Sequence, residues 1–174
     1  MNVDTESKIL VLVRHAKAAS PYGDYKDIER PLTKQGLDEA KDMADWLYEK
    51  FAKTTNSFPL FISSTALRTQ ETAHIFLTKF RDCQETLQLQ SLLYNPQEDS
   101  FYKVIQNISD SINTLFIFSH NNGITDFVNS LTHNRIDVMP TCGVVVLRVK
   151  DNSWKNFRRT IKEWLWFKAP GLPG

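Results

Sequence analysis

The fold is decided by the stretch Ile9-Leu10-Val11-Leu12-Val13-Arg14-His15, in which five aliphatic residues stop abruptly at two basic ones. An unbroken apolar run of this length is typical of a strand that is buried on both faces of a sheet. Open α/β sheets bind their ligands at the carboxyl ends of their strands. Arg14 and His15 therefore stand where a ligand site is expected.

The same arrangement recurs at two further apolar runs. Residues 115–118 are followed by Ser119-His120-Asn121, and residues 60–62 are followed by Ser63-Ser64 and, four residues later, Arg68. Parallel strands present their carboxyl ends at one edge of a sheet, so these groups should converge there. The convergence of arginines and histidines predicts an active site for an anion.

Helical patterns separate these strands. Apolar residues recur at helical spacing in four segments, at residues 37–51, 67–80, 101–112 and 124–131. Thr33 is the expected N-cap of the first helix, and Ser64 or Thr65 that of the second. Residues 143–149 form a further expected strand, and Trp164 to Phe167 an edge strand. This alternation predicts an α/β fold, a three-layer α/β/α sandwich around a largely parallel sheet.

The composition is that of an ordinary globular protein. We expect one domain, residues 1–174, with 41% hydrophobic and 24% charged residues and a net charge of +1. The balanced charge indicates neither nucleic acid nor membrane as a partner. No secretory signal or membrane span is predicted, and Cys83 and Cys142 form no CxxC pair, so we expect a cytoplasmic protein with reduced thiols.

Phosphate is the anion that these side chains suit best. A guanidinium group pairs two phosphoryl oxygens at once, and Arg14, Arg30 and Arg68 could each supply one such group. Two histidines beside a bound phosphate indicate divided roles: a neutral imidazole attacks phosphorus, and a second, protonated imidazole donates a hydrogen bond. His74 and His133 are expected to be surface or packing residues and not ligands. The histidines and cysteines show no metal-ligand spacing, so no metal or other cofactor is predicted.

Together these motifs resemble the histidine phosphatase superfamily. In chain order they are Arg14-His15-Ala16-Lys17-Ala18, Arg30-Pro31-Leu32-Thr33 with Gly36, Ser63-Ser64 with Arg68 and Thr72-Ala73, and Ser119-His120-Asn121 with Gly123. The short chain and the Arg-His-Ala-Lys opening resemble the SixA-type phosphohistidine phosphatase branch. The resemblance implies a phosphoglycerate-mutase-like fold.

The resemblance also assigns roles to residues. It implies that His15 is the phosphorylated nucleophile and that Arg14, Arg68 and His120 form the phosphate pocket with it. Further substrate-binding candidates are Arg30, Asn121 and Lys17, although Lys17 could equally be a solvated side chain.

One position departs from part of the superfamily. Acid phosphatases carry an aspartate directly after the second histidine, where it protonates an alcohol leaving group, but this chain has Asn121. Glu98 or Asp99 could supply a general acid instead, although neither matches the mutase motif. Weak acid catalysis suits a phosphoramidate, because its leaving imidazole can be protonated before the bond breaks.

We therefore predict a metal-independent phosphatase that removes phosphate from phosphohistidine on a protein, such as a phosphotransfer domain of signal transduction. A small-molecule phosphomonoesterase on the same scaffold is one alternative. A non-catalytic module that recognises a phosphorylated partner is another, although recognition alone needs no nucleophile. The basic stretch from Lys155 to Lys162 is either a solvated face or a surface for an acidic partner.

Overall fold

The apolar run at residues 9–13 lies in the middle of a six-stranded sheet. It belongs to β1 (Lys8–Arg14), which pairs in parallel with β4 (Thr114–Ser119) and antiparallel with β5 (Val144–Val149). The computed structural model describes residues 7–51, 59–80 and 87–172, and every element named below lies within them.

The remaining strands complete a mixed, largely parallel sheet. Its order is β3-β2-β4-β1-β5-β6, with β2 at Leu60–Ser63, β3 at Gln88–Leu89 and β6 at Lys162–Lys168. The first four strands of this order run parallel to one another, whereas β5 and β6 are antiparallel to their neighbours. The prediction of a largely parallel sheet with an edge strand at residues 164–167 is confirmed.

Four helices cover the two faces of the sheet. The helices are α1 (Lys34–Phe51), α2 (Leu67–Phe80), α3 (Glu98–Gln106) and α4 (Gly123–Leu131). Alternate residues of β1 point to opposite faces. Val11 and Val13 therefore pack in one core with α1 and α2, while Leu10 and Leu12 pack in another with α3 and α4. This is the three-layer α/β/α sandwich that the sequence predicts.

The predicted N-caps of α1 and α2 differ in outcome. Thr33 does cap α1, because its Oγ1 accepts a hydrogen bond from the backbone N–H of Gly36 (3.1 Å). The cap predicted for α2 is wrong, since the helix begins at Leu67 and Ser64 Oγ accepts from Ala66 N (3.2 Å) just before it. Thr65 likewise precedes the helix without capping it.

The predicted extension of α3 to residue 112 is wrong. The helix ends at Gln106, where Asn107, Ser109 and Asp110 follow. Side chains of this kind bond to nearby backbone and compete with helical hydrogen bonds. Asn107 Nδ2 donates to Lys103 O (2.7 Å), and Ser109 Oγ accepts from Ser111 N (3.3 Å). The local polar contacts therefore replace the last helical turns that the apolar spacing indicated.

The described residues also bear on the expectations about membrane spans and thiols. None of the helices in residues 7–51, 59–80 and 87–172 has both the length and the apolar character needed to cross a bilayer. Cys142 is buried with a free thiol, and Cys83 lies outside the described residues.

The pairing of Arg14 with Ser119 and of Ser63 with Phe118 brings the carboxyl ends of β1, β2 and β4 to one edge of the sheet.

Candidate active site

A cleft of about 580 Å³ opens at the edge where β1, β2 and β4 end. Every site residue predicted from the sequence lines it, namely Arg14, His15, Lys17, Arg30, Arg68, His120 and Asn121. Its remaining lining residues are Ala18, Asp27, Tyr94, Asn95 and Thr141. The cleft contains three guanidinium groups and one carboxylate, so an anion is favoured there.

His15 follows β1 directly and is held by backbone hydrogen bonds to Ser119 (3.1 Å) and Cys142 (3.0 Å). Its ring Nδ1 lies 2.8 Å from the carbonyl oxygen of Ala16. Because a carbonyl only accepts hydrogen bonds, Nδ1 carries the proton and Nε2 keeps its lone pair.

The environment of His15 keeps the ring uncharged. Burial lowers the pKa of His15 to about 4, and the positive charges of Arg68, Arg14 and Arg30 act in the same direction. The hydrogen bond to Ala16 opposes this shift without reversing it. The side chain therefore presents a neutral imidazole, the form in which histidine is a nucleophile.

Arg14 and Arg68 are each held by contacts with neighbouring elements. Arg14 ends β1 and donates from Nη1 to Met139 O (2.7 Å), and burial lowers its pKa. Arg68 lies in the first turn of α2 and is 3% exposed. The Nε atoms of both arginines are buried with no hydrogen-bond partner among the described residues. Such groups are costly unless a ligand satisfies them, which is what an anion would do.

Asp27, which the sequence did not single out, lies between two of the arginines. Its Oδ1 accepts from Arg30 Nε (3.0 Å) and Nη2 (2.7 Å), and its Oδ2 accepts from Arg68 Nη2 (3.0 Å). Burial alone would raise the pKa of Asp27, but hydrogen bonds from Tyr94, Arg30 and Arg68 hold it well below its usual range. The carboxylate is therefore ionised. Asp27 lies three residues before Arg30, and this spacing was the one signal in the sequence that could have indicated the contact.

Tyr94 is a second residue that the sequence did not single out. Its hydroxyl donates to Asp27 Oδ2 (2.7 Å), and its ring meets the His120 ring edge-on at a centroid distance of 5.5 Å. The hydrogen bond to Asp27 raises the pKa of the Tyr94 hydroxyl. Tyr94 thus links the Asp27 carboxylate to the second histidine of the cleft.

His120 follows β4, and its ring centroid lies 5.2 Å from that of His15. Its Nε2 is 2.6 Å from Ser64 Oγ, and its Nδ1 is buried without a hydrogen-bond partner in the described ranges. Burial, together with His15 and the arginines, lowers the pKa of His120 to about 3. The expectation of a protonated second histidine is therefore corrected to a neutral ring, because this position is almost completely desolvated.

Asn121 and Lys17 line the cleft, and both side chains form hydrogen bonds within the protein. Asn121 Oδ1 accepts from Thr125 Oγ1 (2.7 Å), and Lys17 Nζ donates to Gln35 Oε1 (2.6 Å). Thr125 Oγ1 also accepts from Met139 N (3.0 Å). Asn121 is thereby tied to the segment that positions Arg14.

The two carboxylates considered as a general acid do not line the cleft. Asp99 lies at the start of α3, where it pairs with Lys103 (3.0 Å) and with Arg158. These partners lower the pKa of Asp99, so it is a carboxylate and not an acid. Glu98, its neighbour on α3, is also absent from the cleft lining. The suggestion that either residue supplies the acid is therefore wrong.

The remaining candidate groups lie elsewhere. His74 is exposed on α2 and bonds to Gln70 O (2.8 Å), and His133 is exposed after α4. No three or more His, Cys, Asp or Glu side chains are grouped to hold a metal ion in the described part of the chain.

The basic stretch from Lys155 to Lys162 is partly occupied by contacts within the protein. Arg158 pairs with Asp99 and lies 3.9 Å from the ring centroid of Tyr102. Lys162 Nζ lies 4.4 Å from the ring centroid of Phe157. These two side chains therefore cover aromatic rings of the protein itself, which favours a structural role for them over the reception of an acidic partner.

The chain belongs to the histidine phosphatase superfamily, because the sequence profile of its branch 1 matches residues 10–99. Proteins with the same fold include one from Nakamurella multipartitia that is described as the phosphohistidine phosphatase SixA. That structure has a TM-score of 0.80 and 20% identity, over 95% of this chain and 98% of the other. The protein is therefore a phosphatase with a SixA-type fold.

Two further relatives span most of the chain. The protein histidine phosphatase SixA complexed with tungstate has a TM-score of 0.73 and 20% identity, over 93% of this chain and 97% of its own. An uncharacterized protein of Mycobacterium leprae, ML1117, is 29% identical over 170 residues, which are 91% of this chain and 99% of that protein. The similarity therefore extends beyond the 10–99 segment.

The two buried histidines predict that the protein loses stability on acidification. The unfolded chain takes up protons near the ordinary histidine pKa of 6.5, whereas folded His15 and His120 stay neutral down to about 4 and about 3. In between, the unfolded state binds more protons, so the free energy of unfolding decreases as pH falls. Urea denaturation at several pH values measures this slope.

A pair of variants isolates the histidine contribution to that slope. His15→Asn should flatten the decrease, because it removes one buried group that the unfolded chain protonates. His133→Asn, at an exposed position, should keep the wild-type slope. Identical slopes in all three proteins would show that the buried histidines do not govern the acid sensitivity.

Proposed function

We propose that the protein removes phosphate from phosphohistidine on a partner protein through a covalent phosphate on His15. The observation that carries the proposal is the neutral His15 ring, whose unprotonated Nε2 lies in a cleft lined by three arginines. A neutral nucleophile beside fixed positive charge is suited to attack on a phosphate dianion. Arg14, Arg30 and Arg68 supply the charge that a metal ion would otherwise bring, so we propose metal independence.

The reaction proceeds in two displacements. His15 Nε2 attacks phosphorus and forms a new P–N bond, while the P–N bond of the substrate breaks and its imidazole, already protonated by solvent on the other ring nitrogen, leaves as a neutral ring. Water then attacks the phosphorus on His15, which releases inorganic phosphate and restores the free imidazole. Arg14, Arg68 and His120 donate hydrogen bonds to the phosphoryl oxygens in both steps, and Arg30 adds positive charge.

The groups around the cleft favour a phosphoramidate over an alkyl phosphate. Asn121 holds no ionisable proton, Asp27 is ionised, and the Tyr94 hydroxyl is bound to Asp27. Among the described residues that line the cleft, an alcohol leaving group therefore meets no carboxylic acid and no protonated imidazole. The leaving imidazole of phosphohistidine can take a proton from solvent before the bond breaks, so it needs none from the protein.

The relatives support a phosphorylated protein as substrate, and one of them favours an alternative. The SixA neighbours are named as phosphohistidine or protein histidine phosphatases. A mycobacterial glucosyl-3-phosphoglycerate phosphatase shares the fold at a TM-score of 0.61 and 12% identity, which keeps a small phosphomonoester as the second candidate. We favour a cytoplasmic phosphotransfer domain of a signalling relay as the partner. Rates on a phosphohistidine protein and on alkyl phosphates decide between the two.

His15→Ala should lower turnover below about one hundredth of the wild-type rate, because it removes the nucleophile. Wild-type protein mixed with labelled phosphohistidine substrate should carry an acid-labile label, and the variant should carry none. His133→Ala is the matched control and should keep wild-type turnover and labelling. Substantial turnover by His15→Ala would exclude a phosphoenzyme at this residue.

Vanadate should inhibit the enzyme and chelators should leave its rate unchanged. Vanadate adopts the five-coordinate geometry of in-line attack, and the arginines that bind a transferring phosphoryl group would bind it as well. Steady-state rates with added vanadate or EDTA check both effects. Activity that disappears with EDTA and returns with a divalent ion would overturn metal independence.

Asn121→Asp should raise the rate on alkyl phosphates, because it places a proton donor directly after His120. The gain should lie within the roughly 10²–10⁴-fold range of general acid catalysis. Affinity should decrease, since a second negative charge would face the phosphate dianion. Asn122→Asp, one residue further on, is the control and should leave the alkyl phosphatase rate unchanged.

Measuring kcat for phosphoramidate and alkyl phosphate with wild type and both variants completes this experiment. The wild-type enzyme should be far faster on the phosphoramidate. Equal wild-type rates on the two substrates would mean that another acid reaches the leaving group. The preference for phosphohistidine over small phosphomonoesters would then lose its chemical basis.

A further inference from the structure

Ser64 forms a fully buried contact with the second histidine of the cleft. It lies between β2 and α2, is 0% exposed, and places its Oγ 2.6 Å from His120 Nε2. The same Oγ accepts a hydrogen bond from the backbone N–H of Ala66 at 3.2 Å. These are the two hydrogen bonds of this hydroxyl within residues 7–51, 59–80 and 87–172.

The hydroxyl hydrogen of Ser64 has one possible acceptor in this arrangement. Ala66 N–H is a donor and cannot receive it, and burial excludes solvent. If His120 carried its proton on Nε2, both the hydroxyl and the ring would be donors, and the Ser64 hydrogen would be left unpaired. A buried donor without an acceptor destabilises the folded state. Ser64 therefore donates to Nε2, and the ring proton of His120 is on Nδ1.

We propose that Ser64 is a positioning residue that fixes His120 as the Nδ1–H tautomer, so that a neutral ring donates a hydrogen bond to the phosphoryl group. Nδ1 is the His120 nitrogen without a partner among the described residues, and the ring stands beside that of His15. The opposite tautomer would direct a lone pair at the phosphoryl oxygens. The benefit to turnover rests on the proposed function, whereas the tautomer itself does not.

Both histidines of the cleft carry their ring proton on Nδ1, but their roles differ. In His15 the Nδ1 proton is held by the Ala16 carbonyl, which frees Nε2 to attack. In His120 the Nε2 lone pair is held by the Ser64 hydroxyl, which frees Nδ1–H to donate. Each ring is thus fixed by one neighbour outside the cleft lining.

NMR of protein labelled with ¹⁵N-histidine tests the inference directly, because protonated and unprotonated ring nitrogens resonate far apart. The four histidines are assigned by comparison with His15→Asn, His74→Gln and His133→Asn variants. Near neutral pH, wild-type His120 should show its proton on Nδ1. In Ser64→Ala both tautomers should be populated, and kcat on a phosphohistidine protein should fall about 10-fold, the rate equivalent of one ordinary hydrogen bond.

Ser63→Ala is the matched control. Ser63 is equally buried and donates to Ser64 O (2.9 Å), so its loss removes a neighbouring hydroxyl without touching His120. This variant should keep the wild-type tautomer and a kcat close to that of wild type. A wild-type His120 proton on Nε2 would overturn the inference, as would Ser64→Ala with unchanged tautomer and unchanged kcat.

The spectrum separates this inference from the proposed function. The wild-type protein alone reports the tautomer, so the test holds even if Ser64→Ala does not fold. A wild-type protein with the Nδ1–H tautomer but no turnover of phosphohistidine would contradict the proposed function and support the role of Ser64.

Discussion

The hydrogen bond from His15 Nδ1 to the carbonyl of Ala16 is the contact on which the rest of the site depends, because it decides which ring nitrogen can react. The residue that supplies this carbonyl is itself anchored. Ala16 N donates to Thr72 Oγ1 (3.0 Å), and Thr72 Oγ1 donates to Arg68 O (2.7 Å). The nucleophile at the end of β1 is thereby connected to the helix turn that carries Arg68, so the attacking atom and the phosphate-binding group share one rigid frame.

The net charge of the cleft reflects two opposing effects: buried cations destabilise the fold, whereas positive charge favours a phosphate dianion. Positive groups without paired anions destabilise a folded protein, and here three arginines meet one carboxylate. Asp27 offsets part of this charge while it holds Arg30 and Arg68 in place. Both histidines stay neutral, which avoids two further buried cations. The remaining positive charge and the unpartnered Nε atoms of Arg14 and Arg68 are what a phosphate dianion would neutralise.

The sequence predicts those parts of the site that follow from chain direction. Arg14, His15 and His120 directly follow or end apolar strands, and parallel pairing brings such residues to one edge. Arg68 was predictable from its place at the start of a helix. Asp27 and Tyr94 were not, because their hydrogen bonds join residues 41 and 67 positions apart, and the polar loop that holds Asp27 has no periodicity. The protonation state of His120 was not predictable either, since it depends on burial that spacing does not reveal.

The most direct test of this account is the position of phosphorus on the trapped phosphoenzyme. Protein mixed briefly with a reactive phosphoramidate, quenched in alkali and digested, yields a phosphohistidine peptide whose bonded nitrogen can be identified by NMR with ¹⁵N-labelled histidine. We expect phosphorus on Nε2 of His15, because Nδ1 is held by Ala16. Phosphorus on Nδ1 of His15, or on His120, would contradict it.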